Sequence, residues 1–324
     1  MGQLTMNYYK EVDVVKGITI LLVILGHSFC THPINLDEQL PILAQIIRSF
    51  QMPLFFVASG FLFSTNGGFS TLIKKKASRL LVPYLAFGIL SVSLRYFFSA
   101  FTRGGTISLI DSFVKLLNGE FYWFLYTLLL VMIIVQLVNR KVLLYFICGL
   151  CVILCLCTDI RSVNIMTFGK VVYYLPFFAL GIMVKSYYAL LRAFFESHKT
   201  FTFAGFTVLF ALSFLISGGG IGGLFNLYIT PLLGIVMAWM VSIELANDTS
   251  KLISMFIHFG HFSLQYYLNH LLVMLPLYYM ASKLSNFHPL VPLFSIFICA
   301  VGISFVMLKV ERKMKITRFL CALK

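Results

Sequence analysis

Apolar stretches follow one another along this chain and leave little between them from which to build anything else. Ten are read, at about residues 12–30, 46–65, 80–101, 121–138, 142–157, 171–190, 201–217, 225–246, 262–281 and 290–309. A helix needs about 20 apolar residues to cross a hydrocarbon core of ~30 Å, and most of these suffice. The fifth is short, and is read as tilted, broken or partly re-entrant. The first, in its run Ile18 to Leu25, shows neither strand alternation nor proline and suits a helix. The sequence therefore predicts an all-α, polytopic transmembrane bundle of about ten spans, a single integral-membrane domain over 1–324.

Composition agrees with that reading. Of 324 residues 60% are hydrophobic and 11% charged, against about 25% charged in soluble chains. The net charge of +14 then bears on topology, and nucleic acid is not an expected partner. With the N-terminal side placed inside, inner segments hold 18 Lys and Arg and outer segments 6, Arg95 lying within a span. The positive-inside rule thus predicts both termini in the cytoplasm of a bacterial-type inner membrane. Glu11 and Asp13 lie in the approach to the first stretch and no small-residue cleavage site follows Ser28, so it is read as a retained helix.

Other signals are set aside on chemical grounds. Cys148, Cys151, Cys155 and Cys157 crowd one apolar segment without a histidine or carboxylate among them. They read as small apolar residues, and no metal is expected. The run SGGGIGG at 217–223 has no lysine and follows no strand, so it is not a phosphate loop. No internal repeat of the transporter kind is evident. In the outer loop 102–120, residues 107–117 can lie as a short interfacial helix.

The stretch Asp13 to Ser28 places a lysine and a histidine eleven residues apart, at 16 and 27. On a helix that is about 16 Å, half the hydrocarbon core. Lys16 belongs near one face, and His27 is deep or near the other. An ionisable residue in a membrane is costly and so marks a candidate site, although a histidine hydrogen-bonded inside a bundle would read the same. Lys74, Lys75, Lys76 and Arg79 form a basic cluster just before Pro83, where a helix is expected to start. Attraction to anionic lipid accounts for Lys74 and Lys75. Lys16 and Arg79, closer to the spans, are candidates for a phosphate contact, with Lys76 beside them. A second set gathers polar residues in or near spans: His27, Gln51, Arg95, Glu120, Trp123, Asn269 and His270, with His32, Asp37 and Glu38 in the outer loop 31–45. A histidine, a carboxylate and an arginine converging there would make an acid–base site. Trp123 also reads as an interface anchor.

Five motifs in order carry a resemblance. D-x-x-K-G with a following G-H (Asp13, Lys16, Gly17, Gly26, His27), F-Q-M-P-L-F-F-x-x-S-G-F from Phe50, K-x-x-R-L-L-V-P-Y from Lys76, Y-W-F-L from Tyr122 and G-H-F-S-L-Q-Y-Y-L-N-H from Gly260 resemble the membrane-bound acyltransferase family 3. Two positions depart from it. Lys16 stands where the family often has arginine, and Gln51 where it often has histidine. The first keeps the charge without the bidentate fork; the second removes a titratable group.

The resemblance implies an O-acyltransferase, commonly moving acetyl from acetyl-CoA to a hydroxyl of an extracytoplasmic or lipid-linked glycan. The inner basic face suits a polyanionic coenzyme, and the Lys16–His27 separation is comparable to an extended pantetheine arm. On this reading His27 is the general base or an acyl carrier, with Glu120 or Asp37 to orient or charge-balance it. His270 and Asn269 shape the acyl tunnel or bond the thioester carbonyl. Lys16, Lys76 and Arg79 hold the donor; Asp37, Gln51, Arg95, Trp123 and Asn269 line the acceptor site. Membrane lipid and the glycan are the expected partners, and a homo-oligomer is left open. The rival reading is a transporter or polysaccharide exporter whose buried histidine couples protons.

Overall fold

A computed structural model describes residues 8–29, 35–64, 68–97, 108–138, 140–216, 222–284 and 286–322. His32 and Arg103 lie outside the described residues, as does most of the 217–223 run. The described chain is α-helical, with short 3₁₀ and π turns and no strand among the described residues. In order the first helices are α1 (Lys10–Ser28), α2 (Leu36–Gln39), α3 (Pro41–Phe61), α4 (Gly68–Phe97) and α5 (Leu109–Leu117). There follow α6 (Trp123–Val138), α7 (Lys141–Cys157), α8 (Phe168–Ser186), α9 (Tyr188–Ser197) and α10 (Lys199–Ile216). Then α11 (Gly222–Leu224) runs through a π turn into α12 (Thr230–Ala246), followed by α13 (Lys251–His261), α14 (Ser263–Ala281), α15 (Leu290–Glu311) and α16 (Lys315–Leu320).

Over its described residues each apolar stretch read from the sequence is largely helical, the one at 171–190 running from α8 into α9. Among the described residues six helical segments are long and apolar enough to cross a membrane: Pro41–Phe61, Gly68–Leu94, Ile165–Ser186, Lys199–Ile216, Phe225–Ala246 and Leu290–Glu311. Two more, Trp123–Val138 and Lys141–Cys157, are apolar but shorter. α1 carries Lys10, Glu11, Asp13 and Lys16 in its first two turns, so only its second half is continuously apolar. The protein is thus a multi-helix membrane protein, with six candidate spans by length and composition among the described residues.

One boundary differs from the sequence reading. Pro83 does not start a helix; it lies inside α4, which begins at Gly68. Lysine is a good helix former, so the basic run 74–76 simply extends the helix. Proline is tolerated within membrane helices because neighbours and side chains re-pair the freed backbone groups. Pro53, Pro176 and Pro276 likewise sit inside α3, α8 and α14. The short helix expected near residues 107–117 is present as α5, where the Ser108 side chain caps the first turn by accepting from the Asp111 N–H at 3.3 Å.

The chain divides into two compact units, residues 1–58 with 186–303, and 59–185 with 304–324. In the first unit α1 is packed against α12, α13 and α14. Lipid is as apolar as a leucine side chain, so close packing and polar contacts decide helix association there. Glycines supply the closeness. A side chain at Gly17 would collide with the backbone of Phe256, and one at Gly260 with the backbone of Asp13. This reciprocal pair presses α1 and α13 together and orders the first turns of α1. Further along α1, Ile20, Val23 and Ile24 are completely buried on one face. α3 enters the same unit through Phe50, which lies against Gly234 of α12 and meets the Phe210 ring edge-on at 5.9 Å. The Thr230 hydroxyl donates to Ser213 Oγ at 2.9 Å, joining α12 to α10.

The second unit uses the same devices. Gly60 lies against the backbone of Phe178, Tyr84 OH donates to the Leu116 carbonyl, and the Thr127 hydroxyl donates to Thr167 Oγ1 at 3.1 Å. The short helix α5 is thereby fastened to α4.

Candidate active site

α1 ends at Ser28, where Phe29 leaves helical geometry with ψ 89°. Its last carbonyls therefore lack intrahelical partners. Side chains from two other helices of the same unit supply them. Arg48 of α3 donates through one terminal nitrogen to the Gly26 carbonyl at 3.1 Å and the Phe29 carbonyl at 3.2 Å. Its other terminal nitrogen pairs with Asp37 Oδ1 at 2.7 Å. The guanidinium carbon also stands 5.8 Å from the Phe29 ring centroid. Tyr278 of α14 donates its hydroxyl to the carbonyl of His27 itself. Gln51, one turn after Arg48 on α3, lays its side-chain amide against Gly26.

His27 is half-buried in the last turn of α1 and faces His270, with ring centroids 5.3 Å apart and planes at 47°. His270 is fully buried two turns into α14. Its Nδ1 lies 3.0 Å from the Tyr266 carbonyl one turn earlier. A carbonyl accepts, so Nδ1 carries the hydrogen, and Nε2 of the neutral ring presents a lone pair. Among the described residues that Nε2 has no hydrogen-bond partner. Neither do Oδ1 and Nδ2 of the neighbouring Asn269, which is also fully buried, nor Oε1 of Gln51. A buried polar atom without a partner costs about 1–3 kcal/mol, and native structures hold few of them. Here several belong to one helix turn and to a residue packed on Gly26.

The arrangement has clear chemical capacities. Two imidazoles in ring contact can accept and return a proton. Asn269 Nδ2 can donate to a carbonyl oxygen or to the oxyanion that forms from it. Neutral His270 cannot make that donation with Nε2 while Nδ1–H serves Tyr266.

The remaining sequence candidates are placed as follows. Lys16 lies about 16 Å along α1 from His27 by helical rise and pairs with Asp13 at 3.1 Å. Asp37 pairs with Arg48, and Glu38 beside it is exposed. Lys76, half-buried, and Arg79, exposed, lie on α4 in the second unit. Arg95 is in the last turn of α4, its side chain outside the described residues. Glu120, also in the second unit, is exposed in the turn before α6, and its charge acts on Lys170. Trp123 opens α6, stacked on Tyr174 at 5.3 Å and 24°, with Lys170 Nζ 5.7 Å from its centroid. Arg48 and Tyr278 were not singled out by sequence reasoning. Arg48 reads there as one more loop charge, and its position one turn before Gln51 in a quoted motif is the signal that would have found it.

Among the described residues no three His, Cys, Asp or Glu are arranged to hold a metal ion. A groove of about 410 Å³ between α4 and α5, lined by Ile89, Val92, Phe113 and Leu116 among others, holds no titratable side chain and has no part in this chemistry.

A helical membrane protein is defined by these features, with a charged helix start, a histidine pair at the far end of the same helix and a buried amide beside it. Residues 9–309 match the family model described as an acyltransferase domain, and the chain belongs to the acyltransferase 3 family. It therefore carries a domain of a family that transfers acyl groups other than aminoacyl groups. Nodulation protein NolL of Sinorhizobium fredii (strain NBRC 101917 / NGR234) is 31% identical over 180 residues, 53% of this chain and 47% of NolL. The chain thus spans about half the length of the curated relative it matches. No solved structure matches it.

Proposed function

We propose that this protein is a membrane O-acyltransferase that moves an acetyl group from cytoplasmic acetyl-CoA to a hydroxyl of an extracytoplasmic or lipid-linked glycan. The observation that carries the reading is the turn of α14 that sets His270 against His27 and leaves the buried Asn269 amide without a partner among the described residues. His27 removes the hydroxyl proton as the oxygen attacks the thioester carbonyl. Asn269 Nδ2 donates to the oxyanion that develops. The carbonyl re-forms, the carbon–sulfur bond breaks, and His27 returns the proton to the departing sulfur. His270, its tautomer fixed by Tyr266, steadies the imidazolium through its Nε2 lone pair. Lys16, Lys76 and Arg79 engage the phosphates of the donor, with Lys16 exchanging Asp13 for phosphate. Asp37, Gln51, Arg95 and Trp123 are assigned to the acceptor side, with Glu120 as an auxiliary carboxylate. The topology that goes with this reading has ten crossings of the inner membrane and both termini in the cytoplasm, supported by the 18 to 6 charge split.

The test is mass spectrometry of surface glycans from cells making the wild-type protein, the His27→Gln variant or neither. Acetylated glycan in the first sample alone supports the proposal. Identical glycans in all three samples, with the proteins present in the membrane, contradict it.

A further inference from the structure

We propose that Arg48 and Tyr278 are positioning residues, a clasp that holds the last turn of α1 so that the His27 ring stays opposite His270. The inference rests on the reading of His27 as the base, and it starts from a structural need. A helix end leaves four carbonyls without helical partners, and in a bilayer water does not serve them. At this end the Gly26, His27 and Phe29 carbonyls are all met by side chains, two by Arg48 and one by Tyr278. The residue that would do the chemistry thus has its own carbonyl held by Tyr278, and the Gly26 and Phe29 carbonyls on either side of it held by Arg48.

The donors come from separate helices. Arg48 comes from α3, which also lays Gln51 on Gly26, and Tyr278 from α14, two turns beyond His270. Because α14 contributes both the facing ring and the bond to the His27 carbonyl, one helix sets the distance between the imidazoles. Arg48 adds direction. Its planar fork reaches two carbonyls with one nitrogen and the Asp37 carboxylate with the other, a geometry that a lysine ammonium cannot reproduce. Asp37 therefore acts through Arg48, as a partner that fixes the guanidinium, and not on His27 directly.

The effect on rate follows from placement. A displacement of about 1 Å at a reacting group can cost about a hundredfold in turnover. Losing one charge-assisted hydrogen bond lets the helix end open about tenfold more often.

The experiment uses the full chain in detergent or lipid nanodiscs and reads His27 itself. Diethylpyrocarbonate modification is followed by peptide mass spectrometry at His27 and, as an internal control, at the half-buried His258 of α13 in the same unit. CoA release from acetyl-CoA is measured in parallel on membranes of the producing cell. In Arg48→Gln, His27 is expected to react about tenfold faster with His258 unchanged. CoA release should fall about ten- to a hundredfold through kcat, with KM for acetyl-CoA little altered. Tyr278→Phe should show a smaller shift of the same kind, and Arg48→Lys a partial return.

Equal His27 reactivity in wild type, Arg48→Gln and Tyr278→Phe would overturn the proposal. So would a parallel rise at His27 and His258, which would make Arg48 a general stabilising residue. If the wild type releases no CoA, the donor assignment fails, yet the histidine readout still decides the clasp.

Discussion

The two ends of α1 treat buried polar groups in opposite ways. In the first turns every charge is answered within the protein. Lys10 donates to the Ala246 and Asp248 carbonyls at 2.7 and 2.8 Å, and Lys16 pairs with Asp13. Glu11, buried, accepts from the Tyr188 hydroxyl and pairs with Arg192 at 3.5 Å. Burial foremost, and then the Glu11 carboxylate, raise the Tyr188 phenol above its ordinary range, so it remains a donor. At the last turn the backbone is clasped, but the side-chain chemistry of His270, Asn269 and Gln51 remains open. A satisfied network fixes a structure, whereas unsatisfied buried groups cost stability and persist where function needs them. The first end reads as an anchor and the second as a reaction centre.

The comparison predicts different losses at the two ends. The largest is at the reaction end. His27→Gln keeps size and polarity but cannot cycle a proton, so CoA release from acetyl-CoA should fall by roughly 10²–10⁴-fold. Retention of most of the turnover would move the base to His270 and erase the contrast.

Next comes the anchor. Glu11→Gln removes the charge that Arg192 and Tyr188 share and should lower stability by about 1.5–3 kcal/mol, seen as an earlier thermal unfolding transition. Turnover per folded molecule should not change. A Glu11→Gln protein that is stable but slow would show that the first turns also serve catalysis.

The smallest effect is expected at Lys10→Met. It removes two bonds to carbonyls at a half-buried site and should cost about 1 kcal/mol in the same melt, with turnover unchanged. No shift at all would mean that Lys10 contributes only charge and not structure.

The sequence carried the helices well and the clasp poorly, for a physical reason. Apolar runs such as Ile18 to Leu25 have one stable form in lipid, so their positions were legible. The start of α4 was not, because Lys74 to Lys76 read as loop by charge although lysine favours helix. The stretch read as 171–190 runs from α8 across the turn at Tyr187 into the first residues of α9, since that turn is marked by neither glycine nor proline. His27, His270 and Asn269 stood out as polar residues in apolar runs. Arg48 and Tyr278 did not, because what they bind is backbone carbonyl, which every residue has. Tautomer choice at His270 was equally hidden, since it depends on the position of the Tyr266 carbonyl. The seating of Gln51 on Gly26 was hidden for the same reason.

The contrast between the two ends is tested most directly by Asn269→Leu, with thermal midpoint and CoA release from acetyl-CoA measured on one preparation. Asn269 is fully buried, and neither end of its amide has a protein partner among the described residues. An apolar group of similar size therefore removes a cost and no bond. The account predicts an unchanged or higher midpoint together with a loss of turnover of about tenfold to a hundredfold, the effect of losing a donor to the oxyanion. A lower midpoint with turnover per folded molecule intact would contradict it, and would make the last turn of α1 an anchor like the first.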